Sequence, residues 1–409
     1  MKFPQARLAG CLLFLSVGLA ASPENKPASE SGHYRNLFAE HLGKSEAELD
    51  AKLSSVWQQF TAGDPATQRL FYAAADQTSY IPDIKHADVR TEGQSYGMML
   101  AVQMNQQAEF NRLWKWTKDH MFHREGKFAG YYAWHCRYDG TQIDAGPASD
   151  GEEWFVMTLF FAAHRWGNGE GIFNYEAEAQ TLLRHMLHNN EDGAAGSVSP
   201  MFDRKEKQIV FVPHAPGNTF SDPSYHLPAF YELWARWATD PADRSFMAGA
   251  AQVSRRHFHA AAHPVTGLMP DYSNFDGTPY PRWSHQHFLF DAYRTIGNVA
   301  LDYSWFGCDP WQVEQSNRVL AFLASQGPNC ANNFTLDGKP LTKKFSPGLF
   351  AMAAVGGLAA TTPDAKLFVQ RLWDMPVPSG EERYYDGLLY FLSLLQVGGH
   401  YQIHGPQNQ

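Results

Sequence analysis

Apolar residues at three- and four-residue spacing recur along nearly the whole chain, and no other feature constrains its fold as strongly. Side chains at i, i+3, i+4 and i+7 share one face of a helix, whereas a half-buried strand hides every second residue. With flanking Gly, Pro and capping residues, the pattern predicts helices at about 46–60, 65–76, 93–106, 109–121, 152–166, 174–189, 223–238, 242–260, 288–306, 310–326, 346–360 and 384–397. Period-two alternation is scarce, and residues 207–213 (KQIVFVP) are the best short strand. About a dozen helices in antiparallel pairs imply an all-α toroid of helical hairpins. No internal repeat points to a solenoid.

Lys2 and Arg7 precede an apolar run from Leu8 to Ala21 that ends in small residues, the order of a secretory signal. Residues 1–21 are therefore expected to be removed on export, leaving a secreted or periplasmic protein. Residues 22–33, rich in Pro, Ser and Glu, are expected to form a flexible lead-in. No linker or low-complexity segment divides residues 34–409, so one domain is expected there. No other segment is apolar over a membrane-spanning length, and no membrane anchor is expected. Beyond the leader stand Cys136, Cys308 and Cys330, which allow at most one internal bridge. A Cys308–Cys330 pair and buried free thiols are both open.

The formal net charge is −9, and it becomes more negative once Lys2 and Arg7 leave. Nucleic-acid binding needs a basic face, so that class is disfavoured. Aromatic residues make up 14% of the chain, including 12 Trp, more than a core of this size requires. Aromatics in a weakly charged protein line grooves for flat, uncharged ligands. The loops 122–151, 190–222, 261–287 and 327–345 are long and rich in Gly, Pro, aromatics and carboxylates, which marks them as functional. A monomer is expected.

Three segments place carboxylates at or just before helix starts. They are Arg90-Thr91-Glu92-Gly93-Gln94-Ser95-Tyr96-Gly97-Met98-Met99, Ala148-Ser149-Asp150-Gly151-Glu152-Glu153-Trp154 and Phe290-Asp291-Ala292-Tyr293-Arg294. Any one of these acids could be an ordinary first-turn cap. Glu92 and Asp291, however, sit among apolar and aromatic residues, where an unpaired charge is costly. Arg90 and Arg294 stand beside them as orienting partners.

These motifs, taken in order with Ser221-Asp222-Pro223-Ser224-Tyr225, resemble glycoside hydrolase family 8, and the similarity spans roughly residues 50–400. The resemblance implies an (α/α)6 barrel with a substrate groove across one end and inversion at the anomeric carbon. By position in the motifs, Glu92 would be the general acid and Asp291 the general base. Asp150 would hold the central sugar in a distorted shape and raise the pKa of Glu92. Tyr225 would position the attacking water. The chemistry asks for the same arrangement: one carboxylic acid protonates the leaving oxygen, and an ionised partner about 6.5–9.5 Å away activates water.

Residues 90–99 together with Asn298 to Phe306 (NVALDYSWF) look most like the xylan-active branch, especially the reducing-end xylose-releasing exo-oligoxylanases. The implied substrate is a β-1,4-linked xylo-oligosaccharide, with endo-xylanase or glucanase action as the alternative. In those relatives exo-action depends on a groove-blocking loop with a His next to a Pro. The nearest stretch here, Leu341 to Gly348, has no His. Candidates for sugar contact are Arg90, Trp134, Tyr138, Trp154, Phe288, Arg294 and Tyr384, although Trp154 lies on an apolar helix face and reads more readily as core.

Competing classes fare less well. His257, His259 and His263, and the pair His285 and His287, match no zinc spacing, and His257 and His263 read as surface-helix residues. No metal and no cofactor are expected. A polysaccharide lyase would want a cationic site, a non-catalytic sugar-binding protein would have no use for both Glu92 and Asp291, and no G-x-S-x-G, P-loop or dinucleotide fingerprint occurs.

Overall fold

Helices of two kinds alternate along the chain. In the computed structural model, which describes residues 26–189 and 198–406, they are α1 (Ala28–Ser31), α2 (Leu37–Leu42), α3 (Glu46–Ala62), α4 (Thr91–Gln103), α5 (Gln107–His120), α6 (Ser149–Trp166) and α7 (Tyr175–His188), followed by α8 (Pro228–Trp237), α9 (Pro241–Ala261), α10 (Tyr293–Phe306), α11 (Trp311–Ser325), α12 (Pro347–Gly356), α13 (Asp364–Asp374) and α14 (Arg383–Val397). The odd-numbered helices from α3 to α13 are amphipathic. Of α3, only Leu49, Leu53, Val56 and Phe60 are buried, one stripe at helical spacing. By contrast, α6 buries every residue from Ser149 to Ala163, and α12 every residue from Gly348 to Gly356. A helix covered all round has to be interior.

The even-numbered helices α4 to α14 form that interior ring, and it closes. Tyr96 of α4 meets Trp154 of α6 edge-on at 4.5 Å, and Trp154 meets Phe230 of α8 at 5.2 Å. Asn298 of α10 donates to the carbonyl of Ser224 just before α8. The backbone N–H of Gly348 in α12 donates to Asp386 of α14, and Tyr384 of α14 donates to Glu92 of α4. Contacts between α10 and α12 complete the circle. With the amphipathic helices outside, the architecture is an (α/α)6 barrel.

Connections from an inner to the next outer helix are short, such as 104–106 and 238–240, while the returns to the inner ring from α3, α5, α7, α9 and α11 are long. All the long ones contribute to a single cleft at the N-terminal ends of the inner helices. In the described part of these returns, an antiparallel sheet orders Pro82–Asp83, Asp88–Arg90, His135–Cys136 and Gln142–Asp144 side by side.

Several expectations need correction. Residues 65–76 are not helical: Asp64 accepts from the N–H groups of Ala66 and Thr67, which closes a turn, and Tyr72–Ala73 pairs with Ser79–Tyr80. The helices missed instead are the short α2 and α13, whose buried Ala365, Phe368, Val369 and Leu372 carry a regular apolar stripe. α8 and α10 begin later than expected, because Pro223–Tyr225 and Phe290–Ala292 are single 3₁₀ turns. The strand expected at 207–213 shrinks to Gln208–Ile209, paired with Phe202–Asp203. The proposed export signal lies outside the described residues. Of the lead-in, Ala28–Ser31 is a helical turn with Ala28 buried and not a loose tail. Cys136, Cys308 and Cys330 are free thiols, so the Cys308–Cys330 bridge is not formed. Among the described residues no helix is long and apolar enough to cross a membrane.

Two adjacent acids inside α6 show how dry the ring is. Glu152 accepts from the N–H of Tyr132, and Glu153 accepts from the hydroxyl of Tyr231. Burial raises the pKa of both well above the carboxylate range. A carboxyl raised in the folded state favours folding fully below its unfolded pKa, and that advantage is lost as pH rises toward the folded value. Glu153→Gln removes this penalty. The difference in melting temperature between Glu153→Gln and the parent should therefore grow by a few degrees in the variant's favour from pH 5 to pH 8, as read by calorimetry.

Candidate active site

Four inner helices deliver their first-turn side chains to one point. Glu92 is the second residue of α4, Asp150 the second of α6, Arg294 the second of α10 and Tyr384 the second of α14. The glycines following the two acids permit this convergence. A Cβ on Gly93 would lie 2.5 Å from the Tyr384 ring, and one on Gly151 would lie 2.4 Å from Thr91. Neither position has room for a side chain. The E-G and D-G pairs of the motifs are therefore packing requirements as much as chemical ones.

Arg294 sits under the acids with only 5% of its side chain exposed. Nη1 donates to Glu92 Oε2 at 3.1 Å, to Asp150 Oδ2 at 3.2 Å and to the Tyr96 hydroxyl at 2.6 Å. Nη2 donates to Ser224 Oγ at 3.0 Å and lies 3.4 Å from Asp291 Oδ2. Glu92 and Asp291 thus occupy opposite arms of one guanidinium. The width of the guanidinium plus the two polar contacts is an upper bound on their separation, and that bound admits the spacing an inverting glycosidase uses.

The acids differ in surroundings. The Glu92 side chain is 15% exposed and the Asp291 side chain 32%. Burial raises the pKa of Glu92 to about 7; Asp291 and Asp150 push the same way, against the pull of Arg294 and Arg90. Glu92 Oε1 also accepts the Tyr384 hydroxyl at 3.0 Å. Asp150 is raised as well, chiefly by burial, while Arg294 and the N–H of Gly151 favour its charged form. Its seat at the start of α6 adds the positive end of a helix dipole. Asp291, the most open of the three, sits on the 3₁₀ turn Phe290–Ala292. Tyr225, on the turn Pro223–Tyr225, packs its ring against Phe211, and Arg294 approaches its face at 5.5 Å.

The cleft above these groups has a volume of about 960 Å³, enough for several sugar units, and Glu92, Asp150, Tyr225 and Asp291 all line it. Arg90, Trp134 and Tyr384 line it too. Arg90 is held by Asp83 and Asp88 and lies 5.6 Å from the Trp134 ring, so it braces Trp134 and does not pair directly with Glu92. Four expected sugar contacts fall elsewhere. Trp154 is core, wedged between Tyr96 and Phe230. Phe288 is fully buried in a bridge to Phe334. Tyr138 stacks on Tyr80 outside the cleft. Arg294 is a buried brace beneath the acids and no wall residue. Gly flanks and apolar faces could not separate these cases, because cleft and core both use aromatics.

The structure adds cleft residues with no sequence signal of their own. Trp283 and Phe290 are exposed on its wall, and Tyr272, Asp144 and Tyr385 also line it. Residues 298–306 turn out to be structural: Asn298 holds the turn before α8, and Asp302 takes a bidentate pair from Arg255. The histidines disperse. His257 is buried and bonded to Ser273, in contrast to the surface position expected, while His259 pairs with Asp309 and His285 with Asp271.

The profile of glycosyl hydrolases family 8 matches residues 82–399, which hold Glu92, Asp150, Tyr225, Asp291 and Arg294. The chain belongs to glycosyl hydrolase family 8. It is 45% identical over 384 residues to the reducing-end xylose-releasing exo-oligoxylanase Rex8A of Paenibacillus barcinonensis, covering 93% of this chain and 99% of that one. A reducing-end xylose-releasing exo-oligoxylanase of Halalkalibacterium halodurans is 44% identical over 380 residues, covering 92% and 96%. The solved structure of Rex8A with xylose superposes with a TM-score of 0.88 over 93% of this chain and all of that one. A family 8 xylobiose complex from Teredinibacter turnerae gives 0.88 at 43% identity, over 93% of this chain and all of that one.

Replacing Arg294 tests the central brace. Arg294→Met should leave Glu92, Asp150 and Asp291 without their shared cation, costing about 3–5 kcal/mol in urea unfolding at neutral pH. Retention of parental stability would show that the three acids do not depend on this guanidinium.

Proposed function

We propose that this family 8 enzyme cleaves β-1,4-xylosidic bonds of xylo-oligosaccharides with inversion, releasing xylose from the reducing end. The observation that carries this reading is the pair of acids on one guanidinium. Glu92 is held protonated near neutrality by burial, and Asp291 is open to solvent on the other arm. The sugar specificity is supported by the relatives, which are named for reducing-end xylose release.

In the proposed reaction the Glu92 carboxyl gives its proton to the glycosidic oxygen as the bond to the anomeric carbon breaks and the bonding pair leaves with that oxygen. A water on the opposite face loses a proton to Asp291 and forms the new carbon–oxygen bond, so configuration inverts. The enzyme ends with Glu92 ionised and Asp291 protonated, and exchange with solvent resets both. Tyr225, on the cleft wall near Arg294, is placed to orient that water, and Asp150 to hold the ring at the central subsite. Trp134, braced by Arg90, offers a stacking face. Lys344, Phe345 and Ser346 of the stretch at 341–348 reach the cleft, so an end wall here would be built from Lys and Phe in place of His. We further propose that residues 1–21 direct export, which suits an enzyme acting on oligosaccharides outside the cell.

Xylotriose labelled at its reducing end should yield labelled xylose and unlabelled xylobiose, with cellotriose cleaved far more slowly. Proton NMR of the first products should show the α-anomer at the newly formed end. Release of unlabelled xylose, or a β-anomer, would overturn direction or inversion. Glu92→Gln and Asp291→Asn should each lower kcat by about 10³-fold or more with folding retained. Because Glu92 must be protonated, kcat/KM should fall as pH rises through about 7.

A further inference from the structure

Beside Asp291 lie two carboxylates that the reaction above does not use, Asp222 and Asp271. One oxygen of each of the three lies within 4.8 Å of the others. Asp271 is fully partnered: His285 Nδ1 bonds one oxygen and the N–H of Ala292 donates to the other at 3.2 Å. Asp291 has Arg294. Asp222 is different. It is fully buried, and its Oδ1 accepts from the N–H of Ser224 at 2.7 Å, capping the turn that carries Tyr225. No donor among the described residues reaches its Oδ2.

The charges around it do not favour an anion. Asp271 with His285 behind it, Asp291, Tyr225 and Tyr272 face it, and the one fixed cation near it among the described residues, Arg294, is engaged with Glu92, Asp150, Ser224 and Asp291. His226, just past the turn, is buried and bonded to Ser221 and Ser254, with burial holding its pKa far down. An ionised Asp222 would be a buried negative charge with an orphaned oxygen, set beside two other carboxylates. A proton on Oδ2 removes that charge and turns the orphaned oxygen into a donor, with carboxylate oxygens of Asp271 and Asp291 within 4.8 Å of one of Asp222 as the acceptors it can turn toward.

We propose that Asp222 is a positioning residue, a neutral carboxylic acid that carries its proton on Oδ2 through the reaction and donates toward Asp291, keeping that base ionised and aimed at the water. Burial and the charges of Asp271 and Asp291 hold the Asp222 carboxyl well above the usual range, in keeping with the geometry. The proposal rests on Asp291 being the base.

Asp222→Asn and Asp222→Ala separate the alternatives through the acid limb of the kcat/KM profile on xylotriose. Asparagine keeps a neutral donor, so kcat should stay within about threefold and the limb should not move. Alanine removes the donor, so kcat should fall about tenfold or more with KM little changed, and the limb should move to higher pH. A limb moving to lower pH in either variant would mean that Asp222 is ionised. Equal losses in both variants, or an unchanged profile in Asp222→Ala, would also overturn the proposal. The infrared difference between parent and Asp222→Asn at pH 7 gives a readout apart from activity: a protonated-carboxyl stretch should disappear, and its absence from the difference would refute a neutral Asp222. Should Asp291→Asn remain active, the base assignment itself fails. Should Asp291→Asn be inactive while Asp222 behaves otherwise than stated, only the present inference fails.

Discussion

One buried cation organises this enzyme. Arg294 holds Glu92, Asp150 and Asp291 within reach of a single planar group, at a place where like charges would otherwise drive the acids apart or strip them of their ionised forms. Arginine suits the task because its donors form a rigid fork and its charge is permanent. The charges of Asp291 and Asp150 both raise the pKa of Glu92, so replacing either acid changes the surroundings of the third.

The barrel supplies the remaining geometry. Stacking amphipathic helices around an apolar ring leaves the first turns of six inner helices pointing into the same space, with long loops free to wall it. Exposed N–H groups and helix dipoles make those ends suitable seats for carboxylates. The burial that lifts Glu92 to the protonated form near neutrality is the same burial that gives the ring its cohesion. In the partner position, Asp291 rides on a 3₁₀ turn outside the helix proper and stays open to water. Two chemically similar side chains thereby acquire opposite roles from their depth in the fold.

Much of this was legible residue by residue. Most of the amphipathic outer helices followed from apolar spacing, although α13 did not, and the motifs around Glu92, Asp150 and Asp291 pointed to paired-acid chemistry. The failures share a cause. Residues 65–76 have helix-compatible composition, yet the cap-like Asp64 closes a turn there. Trp154 and Phe288 have the character of sugar platforms, and only packing against Tyr96 and Phe334 shows them to be core. Arg294 was visible as a neighbour of Asp291 in sequence, but its reach across the barrel to Glu92 and Asp150 was not.

The amino-acid order by itself determined the helical periodicity, the breaks between helices and the identity of the acids, because those depend on local spacing and side-chain type. Only the tertiary structure decided which acid is buried, which is wet, which aromatics face the cleft and which carboxyl stands without a partner. Those properties belong to surroundings assembled from residues up to 292 positions apart, and no local pattern encodes the dielectric or the neighbours that a side chain meets once the ring has closed.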